Sequence, residues 1–167
     1  QKERYELRNK SERFIADYKN TLNDINPFRI YALCHHLLRA NLSTTACKLL
    51  SFFIPDGDLW LSPLVQLYIQ TLYNSKQLDT LRITLERIPR KYWNAYVWQV
   101  CAKMHETLEE LPEAVDAIKK AVELGPESID LWANLIYLTQ RQGVEKSKVS
   151  AILDEIPLNI LNKPSET

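Results

Sequence analysis

Apolar and polar positions along this chain recur with a period of 34 residues. Four segments begin at Pro27, Leu61, Ala95 and Ile129 and share one register. Position 4 of each holds Ile30, Leu64, Trp98 and Trp132, and position 7 holds Leu33, Leu67, Cys101 and Leu135. Position 21 holds Cys47, Leu81, Val115 and Val149, and position 28 holds Ile54, Ile88, Val122 and Ile156. Positions 4 and 7 fall on one helical face, as do 21 and 28. Each segment therefore predicts a first helix (A) over about thirteen positions and a second helix (B) behind it. A fixed period of this size means that one helix pair is stacked on copies of itself, because a single pair cannot bury both faces.

The punctuation agrees with the period. Breaks between A and B are expected at Ala40-Asn41, Asn74-Ser75, Leu108-Glu109 and Gln142-Gly143. Gly143 suits a helix C-terminus, Ser43 an N-cap, and Ser62-Pro63 an N-cap followed by proline in the first turn. The B helices are expected to stop at Pro55, Pro89, Pro126 and Pro157, since proline ends helix propagation. Residues 1–23 predict one further helix, with Tyr5, Leu7, Phe14, Ile15, Tyr18 and Leu22 on a partly apolar face. Asn23 to Pro27 breaks it. The expected organisation is an N-terminal helix (1–26), four units (27–60, 61–94, 95–128, 129–162) and a tail (163–167).

A 34-residue helix–turn–helix unit with these residues resembles the tetratricopeptide repeat (TPR) family. The third segment matches the family pattern best, through Trp98, Ala114, Ala121 and Pro126, with Ala102 as a small residue where glycine is usual. The fourth supplies Trp132 and Leu135, and the first supplies Leu33 and Ala46. The repeats are degenerate elsewhere: Thr80, Arg87, Lys148 and Glu155 stand where alanines are usual. Leu85-Glu86-Arg87 followed by Tyr92-Trp93 is also similar in style to the half-a-TPR repeats of RNA-processing scaffolds. The resemblance implies an all-α solenoid of four TPR-like pairs plus the N-terminal helix, and a non-enzymatic scaffold for protein–protein interaction. It further implies a concave groove lined by the A helices that takes a peptide or an amphipathic helix. Its lining would be Tyr31 and His35, then Val65, Ile69, Leu72 and Tyr73, then Tyr96 and Lys103, and finally Tyr137 and Arg141. That places one tyrosine in every segment as an aromatic anchor, with Val65, Ile69 and Leu72 as an apolar floor. An external partner, a second copy of the chain or its own N-terminal helix could fill such a groove. The basic positions of chaperone-binding members are not matched, so a co-chaperone role is not expected.

Composition changes this picture little. Zero net charge gives no reason to expect nucleic acid or membrane. Charge is nonetheless uneven: residues 1–94 hold 14 Lys/Arg against 9 Asp/Glu, and residues 95–167 hold 7 against 12. Cys34, Cys47 and Cys101 are odd in number and lack paired spacing, which points to a reducing intracellular compartment, cytoplasm or nucleus. The chain starts at Gln1 and reads as a piece of a longer protein.

Catalysis, cofactors and metals are not expected. Cys34-His35-His36 are adjacent on a helix and cannot converge. Cys101 and His105 share a face but supply two ligands where a structural zinc site needs four. The acids Glu106, Glu109, Glu110 and Glu113 read as a solvated face. Arg82, Arg87, Arg90 and Lys91 with Tyr92 and Trp93 form the one basic-aromatic cluster, the raw material for single-stranded nucleic acid binding.

Overall fold

A computed structural model describes residues 1–20, 27–53 and 63–161. Among them are ten α-helices and no strand: α1 (Lys2–Asn20), α2 (Pro27–Arg39), α3 (Ser43–Phe53), α4 (Pro63–Asn74), α5 (Leu78–Arg87), α6 (Ala95–Thr107), α7 (Leu111–Leu124), α8 (Ile129–Arg141), α9 (Lys146–Glu155) and α10 (Leu158–Leu161). The A helices α2, α6 and α8 begin at the first position of the period and run thirteen residues. The B helices α5, α7 and α9 each stop two residues before Pro89, Pro126 and Pro157. The expected breaks around Asn23–Asn26, Pro55 and Ser62, together with Leu22 and the tail, lie outside the described residues. Ser43 is the first residue of α3 rather than the residue before it.

One turn geometry joins A to B throughout. Asn41, Lys76, Glu109 and Gly143 have φ of 56°, 61°, 59° and 78°, so the left-handed conformation recurs although only one of the four is glycine. The amide of each bonds the carbonyl three residues back (to Leu38, Tyr73, Glu106 and Gln140). At the first three turns the following amide bonds the carbonyl five residues back (Leu42 to Leu37, Gln77 to Leu72, Glu110 to His105). This is the Schellman ending, which satisfies the last carbonyls of the A helix. In the second segment the left-handed residue is Lys76, just past the expected Asn74-Ser75.

The chain divides into two compact units, residues 1–84 and 85–167. In the first, α2 packs on α3, α3 on α4, and α1 on both α3 and α2. Its core is Ile30, Cys34, Leu37, Ala46, Leu49, Leu50, Leu64, Val65, Ile69, Leu72 and Leu81. Ser11 of α1 is fully buried, and the Arg4 guanidinium donates to the Asn41 carbonyl at 3.1 Å, tying α1 to the α2–α3 turn. Thr71 is buried and donates its hydroxyl to Leu67 four residues back, so a polar group enters the core satisfied.

In the second unit α6 packs against α7, α7 against α8, and α8 against α9. Asn94 opens α6 by accepting the Val97 amide at 3.0 Å. Pro112 sits in the first turn of α7, where its missing N–H costs nothing. Ala102, Ala114, Ala117 and Ala121 are buried, and these small residues let α6 and α7 approach closely. Ile118 is 1% exposed, a burial that contributes about 1.5–3 kcal/mol. Gly125 permits close approach at the α7–α8 link: a Cβ there would stand 3.3 Å from Leu131 Cδ1 and 3.4 Å from Ala95 Cβ. Beside it the indole N–H of Trp132 donates to the Pro126 carbonyl at 2.7 Å, pinning α8 to the end of α7.

Candidate functional site

The expected lining residues divide by burial. In the first unit Tyr31 is 37% exposed and lies edge-on to His35, ring centroids 4.5 Å apart, one helical turn along α2. The packing of α1 on this unit therefore leaves Tyr31 open. Tyr73 is half-buried, with the Lys76 ammonium 5.9 Å from its ring. Val65, Ile69 and Leu72 depart from the expectation of an apolar floor. They are 1%, 0% and 0% exposed, so they are core residues of this unit and offer a partner no surface. An isolated helix with apolar residues on most sides reads the same way whether one of those sides is covered or open.

In the second unit Tyr96 and Lys103 of α6 are half-buried, and Tyr137 of α8 is 50% exposed. Arg141 is one of the expected lining residues. Its guanidinium donates to Glu106 at 2.9 Å and to Glu109 at 3.1 Å, and lies 5.8 Å from the Tyr137 ring. It is a strut from the end of α8 to the end of α6, and it brings A-helix lining positions of neighbouring pairs together. The acidic stretch is accordingly less free than a solvated face: Glu106 and Glu109 hold Arg141, and Glu110 Oε2 meets His105 Nδ1 at 2.6 Å. The Glu106–Arg141 spacing, one period plus one residue, was the available sequence signal.

The basic-aromatic cluster does not form an open stacking platform. Trp93 is buried, and its indole N–H donates to the Ile88 carbonyl at 3.0 Å. Trp98 packs on it with centroids 4.3 Å apart. The Arg90 guanidinium stands 3.9 Å from the Trp93 ring centroid, and Lys120 stands 4.5 Å from that of Trp98. Of the cluster's own cations, Arg90 lies over these rings and Lys91 stands 4.8 Å from the Tyr92 ring, contacts that serve the turn leading into α6.

The thiols are core residues. Cys34, Cys47 and Cys101 are 0%, 6% and 7% exposed. Burial, aided by the nearby Cys47, pushes the Cys34 thiol up to about 12. Burial also raises Cys47, against hydrogen bonds from Ser75 and Gln77 that lower it. Thiols held protonated in this way are poor nucleophiles and poor metal ligands. Cys34, His35 and His36 are respectively buried, half-buried and exposed, which is the divergence that adjacency on a helix imposes. His105 has Nδ1 engaged by Glu110, and among the described residues no cluster of three or more His, Cys, Asp or Glu converges on a metal site. Among those residues, too, no helix is long and apolar enough to cross a membrane.

Comparison with solved structures identifies the architecture. The chain superposes on residues 41 to the end of MamA from Desulfovibrio magneticus RS-1 with a TM-score of 0.64, covering 95% of this chain and 94% of that one at 18% identity. It shares its fold with MamA. The superposition on the MamA RS-1 ArsTM double mutant gives a TM-score of 0.63 over 92% of each chain, again at 18% identity. MamA is a TPR-like protein, so this chain has the TPR-like all-α solenoid fold that the 34-residue period predicts. No protein-family model and no curated protein matches the sequence.

Proposed function

We propose that this chain is a non-enzymatic protein–protein interaction scaffold, built of four degenerate TPR-like repeats (27–60, 61–94, 95–128, 129–162), that holds a peptide or an amphipathic helix of a partner on its A helices. The observation that carries the reading is an exposed aromatic on an A helix of each unit: Tyr31 of α2 in the first and Tyr137 of α8 in the second are 37% and 50% exposed on otherwise well-packed helices. Tyrosine supplies a large, stiff, amphipathic contact and is enriched where binding energy concentrates. His35 and Tyr73 join Tyr31 in the contact surface of the first unit, and Tyr96 with Lys103 joins Tyr137 in that of the second. Val65, Ile69 and Leu72 support it from within. Arg141, neutralised by Glu106 and Glu109, sets the position of Tyr137 rather than attracting an acidic ligand.

Selection of helical and extended peptides from a displayed library tests this. The expected result is a consensus with apolar anchors that loses affinity about tenfold in Tyr31→Ala or Tyr137→Ala, in line with the truncation of aromatic hot spots. Peptides that bind both variants as they bind the parent chain would place recognition elsewhere.

A further inference from the structure

A second surface lies on the B-helix side, apart from the tyrosine-bearing faces, and does not depend on the function proposed above. No residue of α9 is buried, whereas α7 buries six. Helix α9 rests on α8, and between it and α7 runs a cleft of about 690 Å³. Trp132 and Leu135 of α8 form its apolar floor. Because α7, α8 and α9 are consecutive helices joined by tight connections, α7 and α9 run side by side in the same direction. One wall carries Lys119 and then Glu123, and the other carries Lys148 and then Glu155. Both lysines therefore stand towards one end of the cleft and both glutamates towards the other, and all four are exposed.

The edge that α9 turns into the cleft is Lys148, Ala151, Ile152 and Glu155, spaced i, i+3, i+4 and i+7. It is a short ridge about 10 Å long with a cation at its start, a small and an apolar residue in the middle, and an anion at its end. A ridge with this charge order fits a cleft with the same order only when it enters antiparallel. Then each lysine meets glutamates and each glutamate meets lysines. The helix that satisfies the cleft is thus α9 itself, presented by another molecule.

We infer that the α7–α9 cleft is closed by the same cleft of a second copy of this chain. The two molecules are related by a two-fold axis, with the α9 ridges antiparallel and Lys148 of each opposite Glu155 of the other. Such an interface is isologous, so one substitution alters it twice. The middle of the ridge holds Ala151 rather than a large side chain, which lets the two helices approach. Ile152 of each copy, half-buried in the single chain, then packs over the cleft of the other, whose Trp132 and Leu135 floor is already only 5% and 4% exposed.

Sedimentation equilibrium on the full chain, at concentrations up to about 100 µM where weak association is still visible, tests this. The expected result is a monomer–dimer equilibrium. Lys148→Glu and Glu155→Lys should each raise the dissociation constant about tenfold or more, because opposed charges become like charges at two places. Lys148→Glu combined with Glu155→Lys should recover part of that loss, because positions 148 and 155 again oppose each other while each also meets a like charge from α7. All these positions are exposed, and circular dichroism checks that helix content is kept. Tyr137→Ala should leave the dimer intact, which separates this surface from the peptide-binding one. A chain that stays monomeric, single variants that dimerise like the parent, a double variant that is not rescued, or a dimer lost in Tyr137→Ala would each overturn the inference.

Discussion

The recurring left-handed turn offers a direct test of how far backbone conformation, rather than contact, stabilises this chain. Gly143 has φ of +78°, and no heavy atom lies within 4 Å of the place a Cβ would occupy. Gly143→Ala therefore adds no clash and removes no contact, so only conformational terms change. Holding an L-residue left-handed costs about 1–2 kcal/mol. Restricting the unfolded chain returns about 0.4–1 kcal/mol. The difference is a loss of about 0.5–1 kcal/mol, a fall of a few degrees in the thermal midpoint for a unit of this size. Lys76→Gly is the mirror experiment at φ 61° and should stabilise by a similar amount. Asn41→Gly, at φ 56°, should do less, because asparagine tolerates the left-handed region. Urea unfolding followed by far-ultraviolet circular dichroism, with the slope of the transition unchanged, reads all three. A neutral or stabilising Gly143→Ala, or a destabilising Lys76→Gly, would refute the reasoning.

Two further outcomes follow from buried polar groups. Trp132→Phe keeps the packing but leaves the Pro126 carbonyl without its 2.7 Å donor, and should cost about 1–2 kcal/mol in chemical denaturation; an unchanged midpoint would mean that another donor replaces the indole. For Cys34, the folded thiol at about 12 lies above its ordinary 9.0, so the native state keeps a proton that the unfolded chain releases. Stability from this group is present below pH 9 and falls as pH rises towards 12, and Cys34→Ala should flatten that decline in denaturation midpoints measured across the range.

The helices were legible because their signals are local. The starts of α2, α6 and α8 and the ends of α5, α7 and α9 follow from a repeated apolar register and from prolines that act within a turn of themselves. Surface was harder to read. Val65, Ile69 and Leu72 hold positions that the resemblance assigns to a groove, yet neighbouring helices bury them, and no sequence period states what covers a face. Trp93 and Arg90 have the composition of a nucleic-acid patch, but Trp93 is buried in the core and the exposed Arg90 is laid over its ring at 3.9 Å. Arg141 carries a charge whose partners lie more than thirty residues earlier, and only the folded hairpins bring them together.

The A–B turns carry a kinetic consequence as well. Each is closed by hydrogen bonds that span at most five positions, so a helix pair can close on itself before any distant part of the chain is in place. Chains wired by contacts of such short reach fold quickly, since little loop entropy is lost before the first contact forms. The same wiring makes stability a sum over adjoining pairs rather than the property of one indivisible core. One pair can then depart from the pattern, as the second does at Thr80 and Arg87 and the fourth at Lys148 and Glu155, while the pair between them keeps it at Ala114 and Ala121.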